Sequence, residues 1–132
     1  MTAVVAIDLG QVRTGVALGD DQIRIAHPFE VWPTKELEDR LLDIIKERSI
    51  KILVIGIALN SDGSESKMSQ KARSFGRRIK RRADIKTVFV DEFGSSIDSV
   101  DRFGESNITG INASDAHAAA IILERFFTSE KK

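Results

Sequence analysis

The chain has no cysteine, which excludes disulfides and thiolate metal sites and fits a reducing compartment. It lacks any apolar run near the roughly 20 residues of a membrane span. Its N-terminus shows neither the basic segment nor the small-residue cleavage site of a secretion signal. The expectation is a cytoplasmic protein with no membrane partner. Proline is scarce, with Pro28 and Pro33 the only two, and there is no repeat, low-complexity tract or linker-like stretch. A chain of 132 residues is expected to form one domain, residues 1–132, burying roughly two-thirds of its unfolded surface. Net charge is absent too, 20 Lys and Arg balancing 20 Asp and Glu. That balance is not local: from Ser66 to Lys86 nine basic residues face one acid, Asp84, a surplus of +8. Such a block is either a solvated helix face or the footprint of a polyanion, and charge alone does not separate the two.

What is present begins with Val4-Val5-Ala6-Ile7-Asp8-Leu9-Gly10, followed by Thr14-Gly15-Val16-Ala17-Leu18-Gly19. An apolar strand delivers a carboxylate to its end, a glycine turn follows, and a second apolar strand returns. A buried, unpaired charge is expensive, so Asp8 calls for a partner such as a metal ion or a phosphate-binding backbone. Strands are expected over residues 2–9, 13–19 and 23–28. A helix starts near Pro33-Thr34, with Thr34 as its candidate N-cap, and runs to about residue 48 on Leu37, Leu41, Leu42, Ile44 and Ile45. The continuous apolar run 51–57 reads as a strand covered on both faces. The basic helix, residues 68–82, carries a core stripe of Met68, Ala72, Phe75 and Ile79. A strand over 86–90, a helix over 95–103 and an apolar helix over 113–127 complete an α/β layered reading.

Four acidic positions, Asp8, Asp91, Glu92 and Asp115, stand where an apolar element meets a loop or a helix start. Strand ends of α/β sheets gather on one edge, so these carboxylates are candidates for one catalytic site. Carboxylates a few ångströms apart recruit hard cations, and oxygen-only ligation suits Mg2+ or Mn2+. Such ions hold a scissile phosphate and activate water for in-line displacement. Plainer roles exist: Asp115 complements a helix N-terminus capped by Ser114, and Asp91-Glu92 forms an exposed turn. Asp8 is hardest to explain that way. His27 and His117 read as structural residues, Trp32 as a packing anchor, and Glu124 completes no ligand spacing. No nucleophile–His–carboxylate arrangement suggests itself.

Five segments together resemble the YqgF/RuvX family of pre-16S rRNA processing nucleases, also described as Holliday-junction-resolvase-like. They are Ile7-Asp8-Leu9-Gly10 with Gly15-Val16-Ala17, then Ala26-His27-Pro28, then Gly56-Ile57-Ala58-Leu59-Asn60-Ser61-Asp62-Gly63-Ser64, then Asp91-Glu92, and last Asp115-Ala116-His117-Ala118. The resemblance spans nearly the whole chain and implies an RNase H-like α/β fold, a mixed central sheet with helices on both faces. It implies that Asp8, Glu92 and Asp115, with Asp91 as the alternative to Glu92, hold Mg2+ or Mn2+ at a phosphodiester. It further implies that Asn60, Asp62 and Ser64 flank the site, with Lys71, Arg77, Arg78 and Arg81 binding the nucleic-acid backbone. Structured RNA is the favoured partner and branched DNA the second, for a monomer or weak homodimer. Two departures stand out. Phe93-Gly94-Ser95-Ser96 occupies the place where the family has Arg and then Thr, and the segment from Ser106 to Ser114 carries no Lys or Arg. These departures motivate a competing reading, a catalytically weak nucleic-acid-binding member. A third, nucleotide binding, rests on the likeness of Asp8-Leu9-Gly10 and Thr14-Gly15 to the first phosphate loop of actin-like ATPases, whose two domains 132 residues hardly supply.

Overall fold

The computed structural model describes residues 2–91 and 110–129, with side chains described through 91 and again from 116 to 128. Five strands form one sheet: β1 (Ala3–Asp8), β2 (Arg13–Asp20), β3 (Ile25–Pro33), β4 (Ile50–Ile57) and β5 (Lys86–Asp91). Three helices accompany them: α1 (Leu37–Glu47), α2 (Lys67–Ala83) and α3 (Gly110–Ser129). The strand order is β3-β2-β1-β4-β5, with β1, β2 and β3 an antiparallel meander and β4 and β5 parallel to β1. The sheet is therefore mixed, as the sequence resemblance implies.

β1 lies in the middle because Val4, Val5, Ala6 and Ile7 are apolar on both sides of the pleat, and all four are fully buried. Alternation then divides two cores. Val5 and Ile7 join Leu53 and Ile55 beneath Leu37, Leu41, Ile44 and Ile45 of α1 and Ala72, Phe75 and Ile79 of α2. Val4 and Ala6 join Ile52 and Val54 beneath Ala119, Ala120, Ile122, Leu123, Phe126 and Phe127 of α3. Helices thus cover both faces. Each cluster removes several large aliphatic side chains from water, worth roughly 1.5–3 kcal/mol apiece before chain entropy is counted.

Three local readings are corrected. The third strand runs on to Pro33, five residues beyond the predicted end, because Phe29, Val31 and Trp32 continue to pack while Pro28 stays in register with Ala17. Thr34 is not a helix N-cap: Thr34–Glu36 is a 3-10 turn without a side-chain cap, and α1 begins at Leu37. Met68 is only half-buried, while Ser69 and Gly76 share the inner face of α2. Gly76 lets α2 approach the sheet closely, since a Cβ there would stand 2.8 Å from both Ile55 Cδ1 and Phe89 Cζ. Ser66 caps α2 through a reciprocal pair with Ser69, satisfying two helix-end amides. Trp32 is buried, and its Nε1 donates to Glu30 at 2.7 Å. The helix predicted over 95–103 lies outside the described residues. No helix among them is long and apolar enough to cross a membrane.

Candidate active site

Asp8 is the last residue of β1, half-buried and opposite Gly15 of β2. The chain turns immediately after it. A Cβ on Gly10 would lie 2.3 Å from the Arg13 carbonyl oxygen, so the turn closes only with glycine. Thr34 clamps the turn from the side. Its amide donates to the Val12 carbonyl at 2.8 Å and its hydroxyl to the Gly10 carbonyl at 2.8 Å. Thr14, fully buried, completes the chain of bonds, its hydroxyl 2.9 Å from that of Thr34. A sequence reading spends Thr34 on a helix cap and misses this role. No local signal marks it, since Thr34 lies 24 residues from Gly10 in the chain.

Asp8 follows Val4 and Ala6 in the alternation of β1, which places it on the α3 face of the sheet. The far end of α3 is pinned at the opposite edge. Arg24, in the β2–β3 turn, donates to the Phe127 carbonyl. A Cβ on Gly19 would meet Leu123 Cδ2 at 2.9 Å and Phe127 Cζ at 3.2 Å, and Gly19 pairs with Val4 at the start of β1. From that anchor α3 runs back over the meander toward the Asp8 edge. α3 packs on β1, β2 and β3.

The remaining candidates fall elsewhere. Asp91 ends β5, exposed and in register with Ile57, on the face shared by Phe89 and α2 rather than that of Asp8. Its carbonyl accepts from Arg125 at 2.8 Å, tying β5 to α3. Val88 and Val90 take the α3 side. Glu92 lies outside the described residues, as does the departure at Phe93. α3 begins at Gly110, three residues before the expected start, so Ser114 is not its N-cap; the backbone of Asp115 lies in its second turn, and the Asp115 side chain is outside those described. In the loop after β4, Asp62 accepts from the Ser64 amide at 2.9 Å and from the Ser64 hydroxyl. These bonds hold its carboxyl below the usual range. Asn60 donates to Ser64 Oγ at 3.0 Å and to the Glu65 carbonyl at 3.2 Å. The polar groups expected to flank a substrate are thus engaged with one another, in an Asx-type turn.

The basic helix is less bare than its charge count suggests. Arg73 pairs with Glu65 at 2.9 Å and lies 5.2 Å from the Phe89 ring centre. That ion pair lowers the Glu65 pKa and raises that of Arg73. Arg78 and Arg82 both hold Glu38 of α1. Among the described residues, Lys67, Lys71, Arg77, Lys80 and Arg81 have no carboxylate partner. His117 is half-buried on α3, and burial lowers its pKa. No group of three Asp, Glu, His or Cys side chains gathers among the described residues. Of the expected ligands on this face only the Asp8 side chain is among those described; a carboxylate there is an oxygen donor of the kind a hard divalent cation takes.

Residues 2–129 match the RuvX family model, described as Holliday junction resolvase. The chain belongs to the RuvX family. Curated RuvX relatives include a protein of Thiobacillus denitrificans, 36% identical over 94% of this chain and 90% of its own length. Another, of Dechloromonas aromatica, is 34% identical over 98% of this chain and 92% of its own. Both are provisionally named pre-16S rRNA nuclease. Among solved structures, Thermus thermophilus RuvC in complex with a Holliday junction substrate superposes with a TM-score of 0.64 at 12% identity, covering 98% of this chain and 95% of that one. That likeness concerns the fold. It agrees with the RNase H-like α/β arrangement expected of a RuvX sequence.

Proposed function

We propose that this RuvX protein is a divalent-metal-dependent nuclease that hydrolyses phosphodiester bonds in structured RNA, in the maturation of pre-16S rRNA. The observation that carries the reading is Asp8, fixed by a clamped glycine turn on the sheet face where α3 returns with Asp115 in its early turns. The names of the RuvX relatives support the reaction and the substrate class. Asp8, Glu92 and Asp115 are the proposed ligands of Mg2+ or Mn2+. Glu92 is preferred to Asp91 because Asp91 takes the face opposite Asp8. When bound, the ion would neutralise charge at the phosphate and lower the pKa of a water. The chain's own contribution is positional. Asp8 holds its carboxylate at a strand end that the Thr14–Thr34 clamp keeps still, and the α3 N-terminus offers positive potential to a phosphate. The unpaired lysines and arginines of α2 hold the backbone of the nucleic acid without reading its sequence.

The test is cleavage of end-labelled structured RNA and of a four-way DNA junction by the protein and its Asp8→Asn variant, in Mg2+ and in Mn2+. The expected result is RNA cleavage that requires metal and falls by at least about a hundredfold in Asp8→Asn, with unchanged thermal unfolding. Junction cleavage in preference to RNA would move the substrate to branched DNA, the reading that the family description favours. Cleavage retained by Asp8→Asn would remove the basis of the proposal. Tight binding without turnover, restored by Phe93→Arg, would assign the chain to the weakly catalytic class.

A further inference from the structure

On the face of the sheet opposite α3 lies a cleft of about 710 Å3 between the turn after β1, the start of α1 and the first half of α2. That volume is within the roughly 300–1,000 Å3 of small-ligand sites. Its construction is two-tiered. Leu9, Leu37, Met68 and Phe75 supply an apolar floor, and Lys35, Lys67, Lys71 and Arg78 supply cations. Among the described residues the only carboxylate lining it, Glu38, is already held by Arg78 and Arg82, and none pairs with Lys35, Lys67 or Lys71. Gln11 and Gln70 add side-chain amides, each able to donate and accept. An apolar surface lined also by cations and amides suits a ligand with an apolar face, hydrogen-bonding edges and a negative tail.

The cleft and Asp8 lie on opposite faces of the sheet but at the same edge, separated only by the turn whose Leu9, Gly10 and Gln11 form the cleft wall. A nucleic-acid strand lying at Asp8 and crossing that turn would meet the cleft next. We propose that this cleft receives an unpaired nucleotide of the substrate strand, its phosphate on Lys35, Lys67 and Lys71 and its base against the half-exposed Leu9 and Met68. The inference rests on the nuclease reading above and narrows its substrate to nucleic acid with an unpaired segment beside the cut. A base held in a duplex must leave its stack to enter, at a cost of a few kcal/mol that an already unpaired base avoids. RNA loops and ends offer such bases.

The test is fluorescence anisotropy in the Asp8→Asn background, where no cleavage intervenes, with a single-stranded RNA, a blunt duplex of the same sequence, and a nucleoside monophosphate as competitor. Ser74 is exposed and lines the cleft, so Ser74→Trp fills it without changing charge. Lys67→Ala with Lys71→Ala strips the rim, and Lys80→Ala with Arg81→Ala removes charge from α2 residues outside the lining. Expected are losses of at least about tenfold for single-stranded RNA in the first two variants; blunt duplex loses less than about twofold in Ser74→Trp and, in the Lys67–Lys71 variant, no more than it loses in the Lys80–Arg81 variant. The Lys80–Arg81 variant should weaken both ligands alike. A monophosphate that binds as tightly as the single-stranded RNA would show that the cleft takes a free nucleotide and overturn the assignment to a substrate strand. Unchanged single-strand binding in Ser74→Trp, or equal losses for single strand and duplex, would overturn the cleft. Because binding is scored without cleavage, these failures are separable from a failure of Asp8 to matter for hydrolysis.

Discussion

At the residue scale the position of Asp8 depends on two hydroxyls. Thr34 donates to the Gly10 carbonyl and receives Thr14, so Thr34→Val leaves a carbonyl and a buried hydroxyl without their partners. Losing such partners costs about 1–3 kcal/mol, which urea unfolding of Thr34→Val against Thr34→Ser would read directly, the serine variant retaining most of the stability. Because the same bonds hold the turn behind Asp8, cleavage should fall more in the valine variant than in the serine one. Equal stability in the two would mean that the amide bond from Thr34 to Val12 alone holds the turn. The role was illegible in the sequence for a physical reason. Threonine before a helix reads as an N-cap, and only the return of β3 alongside β2 brings residue 34 within reach of residue 10.

At the element scale, α1 and α2 are joined by Glu38, which accepts from Arg78 at 3.0 Å and also from Arg82. The hydrogen bond from Arg82, then that from Arg78 with the charges of both, holds the Glu38 carboxyl below the ordinary glutamate range despite the opposing effect of burial. A pKa lowered on folding means that this contribution is fully present above the unfolded-state value and is lost as pH falls through the lower folded-state value. The stability difference between the protein and Glu38→Gln, measured by urea unfolding, should therefore be largest near neutral pH and vanish at strongly acidic pH. A difference independent of pH would show that Glu38 acts by packing alone. The sequence displays the acid and the two arginines but not their meeting, forty residues apart in the chain. Counting the eight cations of α2 therefore overstates its free charge, since Arg73, Arg78 and Arg82 are paired.

At the scale of the whole molecule, most of the architecture was legible. The apolar runs of β1 and β4, the return of β2 and the helical periodicities of α1 and α2 each obey one dominant local rule, and tertiary contacts did not override it. What escaped reading depends on long-range packing. β3 extends to Pro33 because Trp32 finds a core, and the Asn60–Ser64 loop bonds to itself. For the site, sequence order marked Asp8 and Asp115, but only the two-sided division of the cores assigns Asp91 to the other face. The central claim is that the end of β1 and the start of α3 form one cation site. Paramagnetic broadening by Mn2+ in amide NMR spectra tests it most directly. The account predicts that substoichiometric Mn2+ broadens Asp8, Gly56 and Ala116 together and that Asp8→Asn abolishes the effect. Broadening centred on Asp62 and the self-bonded loop, or unchanged in Asp8→Asn, would contradict it.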